Sequence, residues 1–221
     1  MVTSQTGPAG TGLDTRERIL LAMSRLVLSH GYGGTSTRAI AADVGIRQPS
    51  LFHHFESKRA IVQELLERDL RPALARAQHF AELPGPAAPR IYAYIVADLQ
   101  ALHESPYDVR SIYTTELLRD PDFVDQRRTY ERLIEMLRLM IDHALEGREF
   151  RAVKAAHVQQ MIGGVFLAAI WAPSMVTGAE LLDWPEQSAE IVIRGLLRNH
   201  AQFDRVKRAG DVLVDEFERV G

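Results

Sequence analysis

The sequence contains no cysteine among its 221 residues. This absence excludes disulfide scaffolds, thiolate zinc sites, iron–sulfur clusters and cysteine nucleophiles, and it is compatible with a reducing environment. Long apolar runs are also missing, because the longest weakly polar stretch, 161–173, is well short of the ~20 residues of a membrane-spanning helix. Residues 1–13 have neither the basic start nor the apolar stretch of a signal peptide. We therefore expect a cytoplasmic protein with no membrane partner and a disordered tail over residues 1–13.

The net charge is small as well, at −3, and it conceals an uneven distribution. Residues 1–60 carry seven basic and four acidic side chains, whereas the rest of the chain carries 19 basic and 25 acidic ones. A basic N-terminal segment ahead of an acidic body is typical of a protein that binds the phosphates of a nucleic acid through one end. The content of 46% apolar and 25% charged residues is that of an ordinary globular protein.

Strand-like alternation is hard to find, whereas apolar residues recur at helical spacing through nearly the whole chain. The predicted fold class is all-α, with an N-terminal three-helix helix-turn-helix domain and a C-terminal helical domain. The predicted helices cover about 15–30, 38–44, 48–54 and 58 onward, then 90–104, 107–119, 122–146, 152–171 and 186–208, with a short amphipathic turn at 212–217. Pro72 is expected to interrupt the fourth helix, and residues 83–89 form a proline-rich connection. The domain boundary is expected between these two points, and the domains are assigned to about residues 14–70 and 71–221.

Two short helices joined by Gly45 and Ile46, with one helix before and one after them, make a helix-turn-helix pattern. Such a unit presents its second helix to the DNA major groove. The residue types fit this role, because glutamine pairs with adenine, arginine with guanine, and a proline or aromatic face meets a thymine methyl. The alternative is that the polar residues are merely solvated around a core of Leu51 and Phe55. The candidate DNA-binding residues are Thr37, Arg38, Arg47, Gln48, Pro49, Ser50, Phe52, His53, His54 and Lys58.

These segments resemble the N-terminal domain of the TetR (tetracycline-repressor) family of bacterial transcriptional regulators. The resemblance spans about residues 14–66 and is carried by the runs 15–20, 31–32, 35–41, 44–46 and 50–58, which contain turn glycines, core positions and DNA-facing positions together. It implies that Thr37 and Lys58 contact phosphates. It also implies that Arg38 and Gln48 read bases and that Pro49 and Ser50 pack against base edges.

The chain departs from the family pattern at two positions. The family usually has tyrosine where this chain has Phe52, and an aromatic residue with a hydroxyl is common at His53. The contacts that those hydroxyls make in the family therefore do not transfer directly to these two residues.

Family members are homodimers whose C-terminal domain binds a small effector, and the resemblance implies both properties here. A helix pair from each subunit can build a four-helix interface, and Gly163-Gly164 would let the helix backbones approach closely. The resulting two-fold axis would match a palindromic operator in double-stranded DNA. The alternative is an intramolecular core. The predicted interface residues are Val158, Ile162, Val165, Ala169, Ala189, Val192, Ile193, Leu196 and Leu197.

The effector pocket is expected among the helices between the linker and the dimer pair, mostly apolar with a few placed polar groups. The alternative for each candidate is an ordinary core position. The apolar candidates are Ile95, Leu99, Leu102, Ile112, Tyr113, Leu117, Met136, Met140, Met161 and Phe166, and the polar ones are Asp98, His103, Glu116 and His157.

Motifs for catalysis or metal binding are missing from the sequence. Asp98 and His103 are five apart rather than four, and no nucleophile elbow, phosphate-binding glycine loop or His-Glu-x-x-His helix is present. We predict no enzyme activity, no metal and no cofactor. The predicted function is a ligand-responsive DNA-binding transcriptional regulator, most simply a repressor that a small molecule releases from its operator. Two alternatives remain open, an effector-independent architectural DNA-binding protein and a small-molecule-binding or catalytic protein whose helix-turn-helix no longer binds DNA.

Overall fold

The computed structural model of the chain describes residues 13–107, 119–171 and 182–220. In these ranges the regular structure is helical apart from one isolated antiparallel bridge, between Phe150 and Leu197, so the all-α prediction is confirmed. The helices are α1 (Thr15–Gly34), α2 (Thr37–Val44), α3 (Gln48–Phe52), α4 (Lys58–Glu82), α5 (Ala87–Glu104), α6 (Val124–Glu146), α7 (Ala155–Trp171), α8 (Trp184–Leu196) and α9 (Phe203–Val220), with 3₁₀ turns at Pro121–Phe123 and His200–Gln202.

The described residues form two compact units. The first comprises residues 13–65 with Pro106 and Tyr107, and the second comprises 66–105, 119–171 and 182–220. The chain passes from the first unit to the second within α4, between Leu65 and Leu66, and returns after α5, between Ser105 and Pro106.

Side-chain caps and one left-handed glycine define the short helices of the first unit. The carboxylate of Asp14 accepts the Glu17 amide at the start of α1, and the hydroxyl of Ser36 accepts the Ala39 amide at the start of α2. Helix α2 ends at Gly45, whose φ of 76° favours glycine, and the next amide, that of Ile46, bonds back to the Ala41 carbonyl. The predicted turn between the two short helices is thus confirmed.

Gly31 interrupts α1 where the sequence predicted that the helix would stop. Its backbone is non-helical, with φ 71° and ψ 166°, so the first stretch of α1 ends there and a short further turn follows to Gly34. Thr35 then closes the segment, because both its amide and its hydroxyl donate to the Gly31 carbonyl.

The prediction that Pro72 interrupts the fourth helix is wrong. Helix α4 runs through it from Lys58 to Glu82. A proline removes one helical hydrogen bond. The side chains around it offset this cost, since Leu70, Ala77 and Phe80 are buried in the protein while Pro72 itself is exposed to solvent.

The single helix predicted over 186–208 is also wrong. Helix α8 ends at Leu196, and α9 begins at Phe203 and continues to Val220, where only a short turn was expected. Leu197 between them is extended (φ −56°, ψ 133°) and pairs with Phe150 across the antiparallel bridge. This pairing is a long-range contact, so the local sequence does not predict it.

The core of the second unit surrounds α5, whose residues from Ala87 to Ala97 are all buried. Helices α6, α7, α8 and α9 all pack against it. The carboxylate of Glu149 caps its first turn by accepting the amides of Ala87 and Ala88 at 2.7 and 3.0 Å. Helix α9 approaches so closely that a Cβ atom on Gly210 would lie 2.4 Å from Cδ1 of Tyr92.

Candidate nucleic-acid interface

Helix α3 has one buried face and one exposed face. Leu51 is fully buried, and Phe55, just after the helix, is 3% exposed, so these two side chains hold α3 against the first unit. Gln48 and Pro49 are exposed, and Phe52 exposes 46% of its surface to solvent. An aromatic ring that is half in solvent on a five-residue helix has no role in the core, and it is available to a partner.

Hydrogen bonds orient the exposed face. The side-chain amide of Gln48 donates to the Thr37 hydroxyl at 2.9 Å, which links the start of α3 to the start of α2. Ser50 and His54 are half-buried, whereas His53 is exposed at the end of the helix. Helix α3 ends at Phe52 rather than at the predicted His54, so both histidines lie in the turn that follows it.

The basic side chains of the first unit differ in whether they are paired with an acidic group. Arg25 pairs with Asp43 at 2.7 Å. By contrast, the side chains of the exposed Arg38 and Arg47 make no hydrogen bond or ion pair in the part of the chain that the structure describes. A phosphate or a guanine can therefore engage these two guanidinium groups, one on α2 and one just before α3, without breaking another contact.

The Lys58 ammonium is bound more closely within the first unit than a side chain that contacts only phosphate would be. Its ammonium donates to the carbonyls of Tyr32 and Thr35 at 2.7 and 2.9 Å, and it lies 4.2 Å from the centroid of the Tyr32 ring. Burial lowers the pKa of this ammonium. Two of its three donors therefore hold the end of α1, and one remains for a partner.

The first turn of α1 holds both helices of the helix-turn-helix. Arg16 donates to the His54 carbonyl and pairs with the carboxylate of Glu64, and its guanidinium lies 4.1 Å from the Phe55 ring centroid. Arg18 donates to the carbonyl of Val44, the last residue of α2. Sequence reasoning missed these roles, because arginine in a helix gives no signal of a carbonyl partner far along the chain.

The predicted effector residues do not form one site. Ile95, Leu99 and Met140 are fully buried, and Leu102, Met136 and Phe166 pack against the same core. His157 and Met161 are exposed instead and line a surface cleft of about 460 Å³ together with Val153, Lys154 and Leu196. Four further candidates lie outside the described residues: Ile112, Tyr113, Glu116 and Leu117.

Two polar candidates of the second unit differ in their surroundings. Asp98 is paired with Arg76 at 2.6 Å, and both side chains are largely buried; desolvation raises the Asp98 pKa although Arg76 opposes it. The Nε2 atom of His103 is buried without a hydrogen-bond partner among the described residues, and burial lowers the pKa of its ring. The Asp98 carboxylate is therefore already paired within the protein, whereas the Nε2 atom of His103 is available for a hydrogen bond to a ligand.

The predicted dimer-interface residues require a correction. Eight of them are buried in the subunit's own core, and the ninth, Val165, is partly buried against it, so their side chains do not face a partner. The opposite faces of α7 and α8 carry the exposed apolar side chains. These are Met161 (66% exposed), Leu167 and Trp171 on α7 and Ile191 (73% exposed) on α8. Gly163 and Gly164 also have open space where a Cβ would be.

Metal and membrane features are not seen in the described ranges. No three histidine, aspartate or glutamate side chains come together there as a metal site would need. None of the helices in these ranges is both long and apolar enough to cross a bilayer.

Similarity to known proteins extends over both units. Residues 19–65 match the family described as bacterial regulatory proteins, tetR family. The crystal structure of AmtR from Mycobacterium smegmatis is similar over 92% of this chain and 97% of that one, with a TM-score of 0.74 and 27% identity. Residues 19–65 therefore form a helix-turn-helix segment of the tetR family of bacterial regulatory proteins. This is a family of regulators rather than of enzymes, and the resemblance noted in the sequence is confirmed.

Two curated TetR-type regulators are also similar. UidR of Escherichia coli K12, an HTH-type transcriptional regulator, is 39% identical over 62 residues, or 28% of this chain and 32% of UidR. KstR2 of Mycolicibacterium smegmatis, an HTH-type transcriptional repressor, is 28% identical over 122 residues, or 53% of this chain and 59% of KstR2. The matches span less than two thirds of the length of either relative.

Proposed function

We propose that this TetR-family chain is a homodimeric transcriptional regulator that binds a palindromic DNA operator through α2 and α3 and responds to a small effector in its second unit. The observation that carries the proposal is the exposed face of α3, with Gln48, Pro49 and Phe52 presented to solvent beside the unpaired Arg38 and Arg47. The names of UidR and KstR2 as transcriptional regulators support this function over an architectural protein without an effector.

The chemistry of this face suits base reading and phosphate contact at once. Gln48 would pair with adenine, Arg38 with guanine, and Pro49 and Phe52 would meet thymine methyl groups. Arg47 would contact phosphate, which fixes position without reading sequence. The remaining candidates would contribute from the ends of the helices: Thr37, Ser50, His53, His54 and Lys58.

A second copy of the chain completes the proposed site. A recognition helix of five residues offers few contacts, whereas two copies related by a two-fold axis read two half-sites about one helical turn, or ~34 Å, apart. The exposed apolar face of α7 and α8, which includes Met161, Leu167 and Ile191, would form the isologous contact. Dimerisation would thereby set the spacing of the half-sites.

The proposed effector site lies in the second unit at the C-terminal end of α5. Leu102, Met136 and Phe166 supply apolar surface that is only partly buried, and the unpartnered Nε2 atom of His103 supplies one polar contact. Because burial lowers the pKa of His103, the neutral ring would meet an uncharged donor or acceptor. The effector would displace α4, which runs through both units, and alter the spacing of the two α3 helices. A coupling of ~1–3 kcal/mol would change DNA affinity by roughly 5- to 150-fold.

The DNA-binding function can be tested without knowledge of the operator. The purified full chain selects duplexes from a randomised library, and the affinity of a selected duplex is then measured by fluorescence anisotropy over a salt series. We expect palindromic half-sites about one turn apart, and an affinity that falls as salt rises. Arg47→Ala should reduce the salt slope by about one per subunit, or about two for the dimer, whereas Arg132→Ala, an equal charge change on α6, should leave it unchanged. Equal affinity for all sequences would contradict the proposal.

The effector response has a separate test. Solvent extraction of the purified chain followed by mass spectrometry identifies a co-purified molecule, which is then added back to stripped protein. Because the chain has no cysteine, Ala42→Cys on exposed α2 gives one spin label per subunit. We expect the distance between the two labels to change when the molecule is added back and the DNA affinity to fall. An unchanged distance would exclude the proposed displacement.

A further inference from the structure

Tyr107 is fixed to the first turn of α1. It follows α5 by three residues, and its hydroxyl donates to the carboxylate of Glu17. Both residues belong to the first unit, whereas α5 belongs to the second. The chain thus leaves the second unit after Ser105 and is held by a hydrogen bond two residues later.

The segment that leads to Tyr107 is short and stiff. Ser105 ends α5 in an extended conformation, with φ −60° and ψ 127°. Pro106 follows, and its ring restricts φ to a narrow range. A displacement of the end of α5 is therefore passed on to Tyr107 rather than absorbed by a flexible loop. A hydrogen bond to an ionised carboxylate is also among the stronger kinds.

Glu17 lies between the two arginines that hold the helix-turn-helix. Arg16 holds the carbonyl of His54 after α3, and Arg18 holds the carbonyl of Val44 at the end of α2. Asp14 caps the same turn, because its carboxylate accepts the Glu17 amide at 2.7 Å. A displacement of the Glu17 side chain therefore moves the first turn of α1, and this turn positions both α2 and α3.

We propose that the Tyr107–Glu17 hydrogen bond couples the C-terminal end of α5 to the orientation of α2 and α3. Tyr107 is a positioning residue in this scheme, since it acts through Glu17 and the adjacent Arg16 and Arg18. Its regulatory meaning rests on the proposed function, because α5 carries the effector-site candidates Leu102 and His103. The physical coupling itself needs neither DNA nor effector and can be measured alone.

Hydrogen exchange of the full-length chain without DNA tests the contact. Tyr107→Phe keeps the ring and removes only the hydroxyl. We expect the amides of Glu17 and Arg18, both bonded to Asp14, to exchange about two- to tenfold faster, the change that the loss of one hydrogen bond produces. Tyr130→Phe, the same change on α6, should leave these amides unchanged. Unaltered exchange in α1 of a folded Tyr107→Phe chain would overturn the proposal.

A second variant tests the direction of the coupling. Leu102→Ala removes side-chain atoms near the end of α5, and Leu102→Val serves if that chain does not fold. We expect either change to speed exchange at Glu17 and Arg18 in the wild-type background and to have no further effect in Tyr107→Phe. An effect of equal size in both backgrounds, or none in the wild type, would overturn the coupling. Because no DNA is present, a chain that fails to bind DNA would disprove the proposed function while leaving this result intact.

Discussion

The side-chain amide of Gln48 on α3 donates a 2.9 Å hydrogen bond to the hydroxyl of Thr37 on α2. The orientation of an exposed side chain on the proposed recognition helix is thus set by the neighbouring helix. Gln48 keeps one amide hydrogen and its carbonyl oxygen, the donor and acceptor that adenine binds in the major groove. Thr37 therefore has two possible roles, a phosphate contact and the orientation of Gln48, and these roles give different results on mutation.

Gln48→Ala should relax the base preference at one position of each half-site, at a cost of ~1–3 kcal/mol per half-site, because one bidentate base contact is lost there. Thr37→Val keeps the shape and removes the hydroxyl, so it should weaken the preference at that same position. The measurement is selection from a randomised duplex library followed by anisotropy titration of matched and mismatched sites. If Thr37→Val lowers affinity for all sequences alike, Thr37 contacts phosphate only; an unaltered preference in Gln48→Ala would show that Gln48 does not read bases.

Lys58→Ala should reduce the stability of the first unit as well as its DNA affinity. The substitution leaves the carbonyls of Tyr32 and Thr35 without their donor, a loss of about 1–3 kcal/mol in the free energy of unfolding. A phosphate contact alone, as the resemblance implies for Lys58, would give only a uniform loss of DNA affinity with a flatter salt dependence. Urea denaturation followed by circular dichroism measures the stability, with Lys154→Ala on the exposed surface of the second unit as the control. An unchanged urea midpoint would show that the two carbonyl contacts contribute nothing.

The features that the sequence predicted correctly are local ones. Helices α1 and α2 begin within one residue of their predicted starts, since Asp14 and Ser36 cap them through contacts three residues away, and Gly45 ends α2 through its own backbone conformation. The features that it did not predict depend on distant partners. The helix breaks at Leu197 because this residue forms a bridge with Phe150, and Asp98 forms an ion pair with Arg76 on another helix.

The orientation of α7 shows a further reason for failure. Apolar residues occupy both faces of this helix, so periodicity does not show which face is buried. Val158 and Ile162 turned out to face the core, whereas Met161 and Leu167 face solvent. Only the packing of the whole second unit separates the two faces, and the predicted interface was consequently assigned to the inner one.

Gly210→Ala should destabilise the second unit. The added Cβ would lie 2.4 Å from Cδ1 of Tyr92 and 3.1 Å from the Pro89 carbonyl oxygen, so α9 or the ring must move. Overpacking of this kind costs about 1–3 kcal/mol. Thermal or urea unfolding measures the loss. In a Tyr92→Leu background the same substitution should cost less, because the conflicting ring is gone; an equal cost in both backgrounds would place the conflict elsewhere.

Tyr92 should make the stability of the second unit depend on alkaline pH. Burial raises the pKa of its hydroxyl from 10.0 to about 12, so the folded state holds the proton more tightly than the unfolded state does. The stabilisation is complete below pH 10 and is lost as the pH rises toward 12. Tyr92→Phe should reduce this decline. The urea midpoints of the wild type and Tyr92→Phe are compared between pH 8 and about 11. An equal decline in both proteins would show that Tyr92 is not the titrating group.

Ile191→Glu should dissociate the proposed dimer. Ile191 is 73% exposed on α8, so the carboxylate is well solvated in the monomer and the fold should remain intact. In an isologous interface the same charge would be buried twice without a partner, a cost of several kcal/mol. Val212→Glu is the matched control, since Val212 is a 53% exposed apolar residue of α9 outside the proposed contact. Sedimentation velocity should show a monomer for Ile191→Glu and a dimer for both Val212→Glu and the wild type. If Ile191→Glu remains a dimer while Val212→Glu dissociates, the contact is formed by α9 instead.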